Sequence, residues 1–278
     1  MPFISNLRET PLELLANLAR WQTMWIICVV MFIALKYLSL YHHPRVKVNR
    51  VKFPLLYLLG WVGLDPKPFT QPKKSSKHTQ WLLTSIQNIF LGLVFWLFTA
   101  KAIDPPLLQG WGYCISIIFL LHFGSFKLLA YILRLMGHPV KPLMNNPHLS
   151  KSVSEFWGKR WNSAFRDMAH PFLFIPLTKK WGVLMAHHLT FLISGLIHEL
   201  AISIPAGGGY GLPTLYFIIQ GLSIQMEKTT PFKRLAKPIQ RATTYLLLVT
   251  PAVILFPPPF QAKVILPMAD FINSILNI

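Results

Sequence analysis

Apolar stretches long enough to cross a lipid bilayer recur along this 278-residue chain, and they restrict the fold to elements that satisfy their backbone polar groups internally. A spanning helix needs roughly 20 mostly apolar residues. Such runs lie at about 21–41, 81–100, 111–136, 183–204, 212–226 and 242–260, with a weaker seventh near 262–278. Residues 53–64 and 171–177 are apolar but short and flanked by proline, which suits interfacial or re-entrant segments buried against protein. With 53% hydrophobic and 13% charged residues, the chain is too oily for one soluble domain. The expectation is an all-α multi-pass membrane protein of about 6–8 transmembrane helices, one membrane-embedded domain over 1–278 with no cleavable signal peptide.

A net charge of +18 invites a nucleic-acid reading, but the cations sit in loops. Residues 42–80 hold eight Lys and Arg, 137–182 hold seven and 227–241 hold five, together 20 of the 27. The alternate loops are nearly bare: 101–110 carry Lys101 and Asp104, and 205–211 carry no charge. That alternation is the positive-inside pattern. It predicts cytoplasmic basic loops in contact with anionic lipid, an external N-terminus, a cytoplasmic C-terminus if the seventh run spans, and no nucleic-acid partner. The one linker-like stretch is the Lys, Ser and Pro-rich segment 66–78. Cys28 and Cys114 both fall in apolar runs without metal-ligand spacing, so neither a disulfide nor a metal site is expected.

Ionisable groups are costly at membrane depth, so His198 and Glu199 inside TFLISGLIHELAISI (190–204) are the first candidates for chemistry. His187, Thr190 or Phe191, Ser194 and His198 recur at spacings of three and four, a weakly polar stripe along one helix face. Glu199 lies about 100° round from it. The bland alternative is a histidine bonded to a neighbouring helix as glue. A zinc protease is excluded, because HELAI has Ile202 where HExxH needs its second histidine. The loop AGGGYG (206–211) lacks the Lys and Ser/Thr of a phosphate loop and reads as a turn between spans.

Upstream, SVSEFWGKRWNSAFRDMAHP covers 152–171. Ser152 and Glu155 have capping-box spacing and Pro171 is expected to end the helix that follows, with Trp157 and Trp161 on one side. Aromatics beside Lys159, Arg160 and Arg166 suit the headgroup zone as an ordinary interfacial belt.

FWGKRWN at 156–162, followed 36 residues after Asn162 by His198 in SGLIHEL, resembles the wax synthase branch of the membrane-bound O-acyltransferase family. The resemblance extends through PAGGGYGLPTLYFIIQG (205–221) and more loosely to GWVGLDPKPF (60–69), while the first span and the last 50 residues agree only in hydropathy. It implies helices around an internal chamber, and acyl transfer from acyl-CoA, a co-substrate and not a bound cofactor, to a lipophilic hydroxyl. A long-chain alcohol is the default acceptor; sterols, diacylglycerol and secondary-metabolite hydroxyls are the alternatives. His198 is then the catalytic histidine and Asn162 its partner, with Glu199, Trp161, Ser194 and Gln220 supporting. Lys159, Arg160 and Arg166 become the candidates for the coenzyme A phosphates, against a rival reading as lipid-headgroup contacts. For Gln220 and Glu227 helix glue or a span end is the heavier reading. The chain is short for that branch, so one or two peripheral spans are expected to be missing. The compartment follows the host, endoplasmic reticulum membrane in a eukaryote and inner membrane in a bacterium. A proton-coupled transporter is the remaining alternative, and it should show inverted repeats and charge pairs across helices, which this sequence lacks.

Overall fold

The computed structural model describes residues 18–43, 46–70 and 78–278, and among them all regular structure is helical. The centre of the 66–78 linker therefore lies outside the described residues. Five helices are long and apolar enough to cross a membrane: α1 (Arg20–His42), α3 (Thr79–Ala102), α4 (Pro106–Leu135), α6 (Ser163–Ala206) and α8 (Lys237–Leu255). The protein is an integral membrane protein of the all-α class. Between these run α2 (Pro54–Gly60), the short α5 (153–160), α7 (Leu212–Glu227) and α9 (258–276).

The two kinds of loop gather at opposite ends. Arg20 Nη1 donates to Pro205 O at 3.1 Å, Gly209 packs on Pro257 and Gly110 on Gln261, so the sparsely charged connections share one end. Segments 61–68, 78–84, 139–146 and 159–179 enclose a cavity of about 1310 Å³ at the other end. The charge asymmetry of the sequence is thus an asymmetry of the folded bundle.

Two expected spans take other roles. The run at 212–226 is α7, whose 16 residues rise only about 24 Å, short of the roughly 30 Å hydrocarbon core. It buries one face, Tyr216, Phe217, Gln220, Ser223 and Ile224, against its neighbours, while Leu215, Ile218, Leu222 and Met226 are exposed on the other. The weak seventh run is α9, and it does not carry the chain across. Phe271 packs on Trp21 at the start of α1 with ring centroids 5.1 Å apart. Asn273 Oδ1 accepts from Trp96 Nε1 at 2.8 Å, and Asn273 Nδ2 donates to Tyr113 at 2.9 Å. Both ends of α9 therefore stay near the sparsely charged end, which removes the basis for placing the C-terminus with the basic loops. Lys263, Pro267 and Asp270 explain why this segment does not enter lipid.

The short apolar piece at 53–64 forms α2 and its exit, strapped to α1. Lys36, fully buried, donates to Tyr57 O at 2.6 Å and lies 3.9 Å from the Tyr57 ring centroid. Ser39 Oγ and Tyr57 OH both donate to Leu64 O, at 2.5 and 3.0 Å. A cation inside a span is tolerable when carbonyl oxygen and aromatic faces replace its water.

Helix α6 decides the geometry of the site. A straight helix from Asn162 to His198 would separate them by about 54 Å, yet both line one small cavity. The chain reverses at Gly182, whose φ of 79° and ψ of 167° fall in a region essentially reserved for glycine. The apolar piece at 171–177 is thereby the outgoing arm of a helical hairpin, not a separate re-entrant segment. Pro171 does not end a helix. It sits within the π-helical turn His170–Phe174, whose wider winding accommodates the ring and the missing N–H.

Candidate active site

Residues 152–162 fold as a capped turn followed by a sharp break. Ser152 Oγ accepts from Glu155 N at 2.9 Å, the expected cap. The Glu155 carboxylate reaches Lys151 N at 2.8 Å, one residue before the position a capping box would use. The helix stops at Arg160, eleven residues before the expected Pro171 boundary, because Asn162 adopts a left-handed φ of 41° and becomes the N-cap of α6. Asn162 Oδ1 accepts from Phe165 N at 3.3 Å. Asparagine tolerates this backbone region and is among the best N-caps. Its oxygen is thus committed to the fold, while among the described residues Nδ2 meets no protein acceptor and the side chain borders the cavity.

On the returning arm, Gly195 lets α6 and α7 touch: a Cβ there would lie 2.7 Å from Thr214 Cα, the close approach that small residues permit between membrane helices. That contact sets His198 against Phe217, with ring centroids 4.4 Å apart. His198 Nδ1 lies 2.7 Å from Ser194 O. A carbonyl only accepts, so Nδ1 carries the proton and Nε2 presents a lone pair to the cavity.

Glu199 turns away from His198. Its Oε1 accepts from Thr214 N at 3.0 Å and Thr214 Oγ1 at 2.8 Å, with Ser203 and Gly211 beside it. The carboxylate thereby satisfies orphan N–H groups at the start of α7 and complements the positive end of its dipole. The π-helical turn Glu199–Ser203 follows His198 directly, so the two neighbours leave the helix in different directions.

The cavity they share measures about 290 Å³ and is walled by Trp157, Trp161, Phe165, Phe191 and Phe217, with Asn162, His187, Thr190, Ser194 and His198 as polar groups. The predicted stripe on α6 therefore faces the cavity along its whole length. Trp161 stacks on Phe156 at 5.4 Å and on His122 at 6.0 Å, which fixes the wall beside Asn162. Ser194 contributes its carbonyl to His198. Gln220 stands outside the cavity: it accepts from Trp157 Nε1 at 3.1 Å and donates to Leu247 O at 2.9 Å, joining α5, α7 and α8. Glu227 receives Val153 N at 2.7 Å and Thr244 Oγ1 at 3.1 Å, and so holds α5 against α7 and α8.

The three candidate cations separate. Arg160 is engaged by Glu155, N to O 2.7 Å, and by the carbonyls of Asn145 and Asn146 at 3.3 Å. It lines neither cavity. Lys159 lines the larger, basic-end cavity. Arg166 lines both cavities and is partly neutralised by Asp167 at 2.5 Å. The larger cavity, the vestibule, adjoins the smaller at Arg166 and His170, which line both. Lys67, Lys127, Lys141 and Lys179, which no motif singles out, join Lys159 and Arg166 around the vestibule. Scattered over 113 residues of chain, they become a cluster only in the fold.

Residues 140–219 match the membrane bound O-acyl transferase family. Over 70% of its length the chain is 25% identical to the probable long-chain-alcohol O-fatty-acyltransferase 9 of Arabidopsis thaliana, covering 62% of that protein. It is 27% identical over 58% of its length to the probable long-chain-alcohol O-fatty-acyltransferase 8 of the same plant, covering 51%. To the Arabidopsis acyl-CoA–sterol O-acyltransferase 1 it is 25% identical over 72% of its length, covering 62%. The chain thus spans roughly half to three-fifths of these relatives. The matched segment, residues 140–219, is the one that carries Asn162, Gly182, His198 and Glu199.

Proposed function

We propose that this protein transfers a fatty acyl group from acyl-CoA to a long-chain alcohol, with His198 as general base and Asn162 as stabiliser of the developing oxyanion. The observation that carries the reading is the fixed histidine tautomer: Nδ1–H on Ser194 O at 2.7 Å leaves Nε2 free in a cavity that also borders Asn162. An alcohol is a poor nucleophile near neutral pH, and a positioned imidazole removes its proton as the oxygen attacks the thioester carbonyl. The carbonyl oxygen then carries negative charge, which the Asn162 amide N–H can receive. Collapse expels the coenzyme A thiolate, the proton held by His198 passes to that sulfur, and ester and free thiol are released.

The basic vestibule supports the donor assignment. Lys159, Arg166 and the further lysines there suit the phosphates of coenzyme A, and the thioester would reach His198 through the junction at Arg166 and His170. This puts the basic end in the cytoplasm, in keeping with the loop charges. Glu199, Trp161 and Ser194 hold the two reacting groups in place, and Arg160 and Gln220 hold the walls. A sterol acceptor is the second reading, favoured by the similarity to the Arabidopsis sterol O-acyltransferase.

The test is ester formation by purified protein given long-chain acyl-CoA with either a fatty alcohol or a sterol. His198→Ala should abolish it while the protein remains folded in detergent. Full activity in that variant would remove His198 from the mechanism, and ester from sterol alone would exchange the first acceptor for the second.

A further inference from the structure

One part of the smaller cavity is not used by the chemistry at His198. His187 lines it eleven residues before His198 on the same face of α6, which sets the two rings about 16 Å apart along the helix. His187 Nε2 lies 3.1 Å from Gly221 O. The same tautomer argument therefore applies in reverse: Nε2 carries the proton and Nδ1 is an acceptor. Thr190, on the same stripe, donates to Ala186 O at 2.8 Å and keeps lone pairs available. The cavity is also lined by Ser154, Arg166 and Lys228. Lys228 follows α7, seven residues beyond Gly221, and its charge is near enough to act on the His187 ring. Among the described residues it has no carboxylate partner, only Gln225 Oε1 at 3.4 Å.

The cavity thus holds a reacting histidine, a hydrogen-bond acceptor at His187 about 16 Å along α6 from it, and the Lys228 cation in the same lining. The phosphopantetheine arm of an acyl donor is of comparable length. Thirteen bonds separate its sulfur from its phosphorus, and at roughly 3.3–3.6 Å per three bonds an extended chain of that length spans about 14–16 Å. Its pantoyl hydroxyl lies close to the phosphate end.

The geometry points to Lys228 and His187 as the residues that recognise this arm, Lys228 taking the phosphate and His187 Nδ1 accepting from the pantoyl hydroxyl. The inference rests on the acyl-CoA reading above and adds a ruler to it. With the phosphate at Lys228, the thioester arrives at His198 and the acyl chain continues past it. A lysine meets phosphate as a point charge, so its loss should be felt only by ligands that carry the phosphate.

Equilibrium binding of 4′-phosphopantetheine and of pantetheine to the purified full chain separates the contributions without requiring turnover. The wild type should bind the phosphorylated ligand at least tenfold more tightly. In Lys228→Ala the ratio should fall to within twofold; in His187→Phe both ligands should weaken together, by about fivefold or more, with the ratio kept. If His187→Phe fails to fold, His187→Gln, which retains a donor toward Gly221, replaces it. Equal binding of the two ligands by the wild type, or an unchanged ratio in Lys228→Ala as expected of a lysine serving lipid headgroups, would overturn the assignment. Ester formation is scored separately: a protein that shows the ratio but makes no ester leaves the arm site standing and removes the acyltransferase reading.

Discussion

Asn162 holds two positions at once, and substitutions can separate them. Its oxygen caps α6 at 3.3 Å from Phe165 N and its backbone is left-handed at φ 41°; its Nδ2 is the group assigned to the oxyanion. Asn162→Ala disturbs both. It loses a cap of about 1 kcal/mol and leaves alanine in a backbone region that costs roughly 1–2 kcal/mol. A drop in activity there would not distinguish chemistry from folding. Asn162→Asp does distinguish them. Aspartate caps about as well as asparagine and shares its tolerance of the left-handed region, so the melting temperature in detergent should stay within a degree or two. It has no N–H to offer an oxyanion, and removal of one such donor costs about 10²–10³ in turnover, or about 2.7–4 kcal/mol of transition-state stabilisation. The assay is initial-rate ester formation at saturating acyl-CoA and alcohol, paired with a thermal melt of the same preparation. Turnover of Asn162→Asp within threefold of the wild type, with an unchanged melt, would refute the oxyanion role and leave Asn162 as a cap.

Other perturbations test the scaffold. Gly182→Ala forces a Cβ into the φ 79°, ψ 167° backbone, at a cost of order 1–3 kcal/mol, so thermal stability should fall and ester formation with it; an unchanged or raised melting temperature would contradict the hairpin. Glu199→Ala strands Thr214 N and should cost about 1–2 kcal/mol of stability, whereas Glu199→Gln keeps an acceptor for Thr214 and should retain most stability and turnover. A collapse of turnover in the glutamine variant with a normal melt would show that the charge of Glu199 acts on His198.

The membrane class, the bare and basic loops and the suspicion attached to His198 follow from the sequence, because each rests on a cost that applies wherever the residue sits in the fold. An ionisable group in an apolar run is expensive in any arrangement of helices, and apolar runs of spanning length have few alternatives to helix. The α6 stripe was legible for the same reason, since helical periodicity fixes which residues share a face. What tertiary structure alone decided is how distant pieces meet. Nothing local to Asn162 says that it faces His198; the reversal at Gly182 brings them to one cavity, and the break before α6 falls at Asn162 instead of Pro171 because a left-handed cap there outcompetes a proline that a π-turn absorbs. Glu199 is adjacent to His198 in sequence yet serves Thr214, because the close crossing at Gly195 delivers the start of α7 to its carboxylate. Residues 212–226 and 262–278 have the composition of spans, but α7 is too short to cross unaided and buries one face against its neighbours, and α9 folds across one end: hydropathy measures the wish to leave water, and protein satisfies it as well as lipid does.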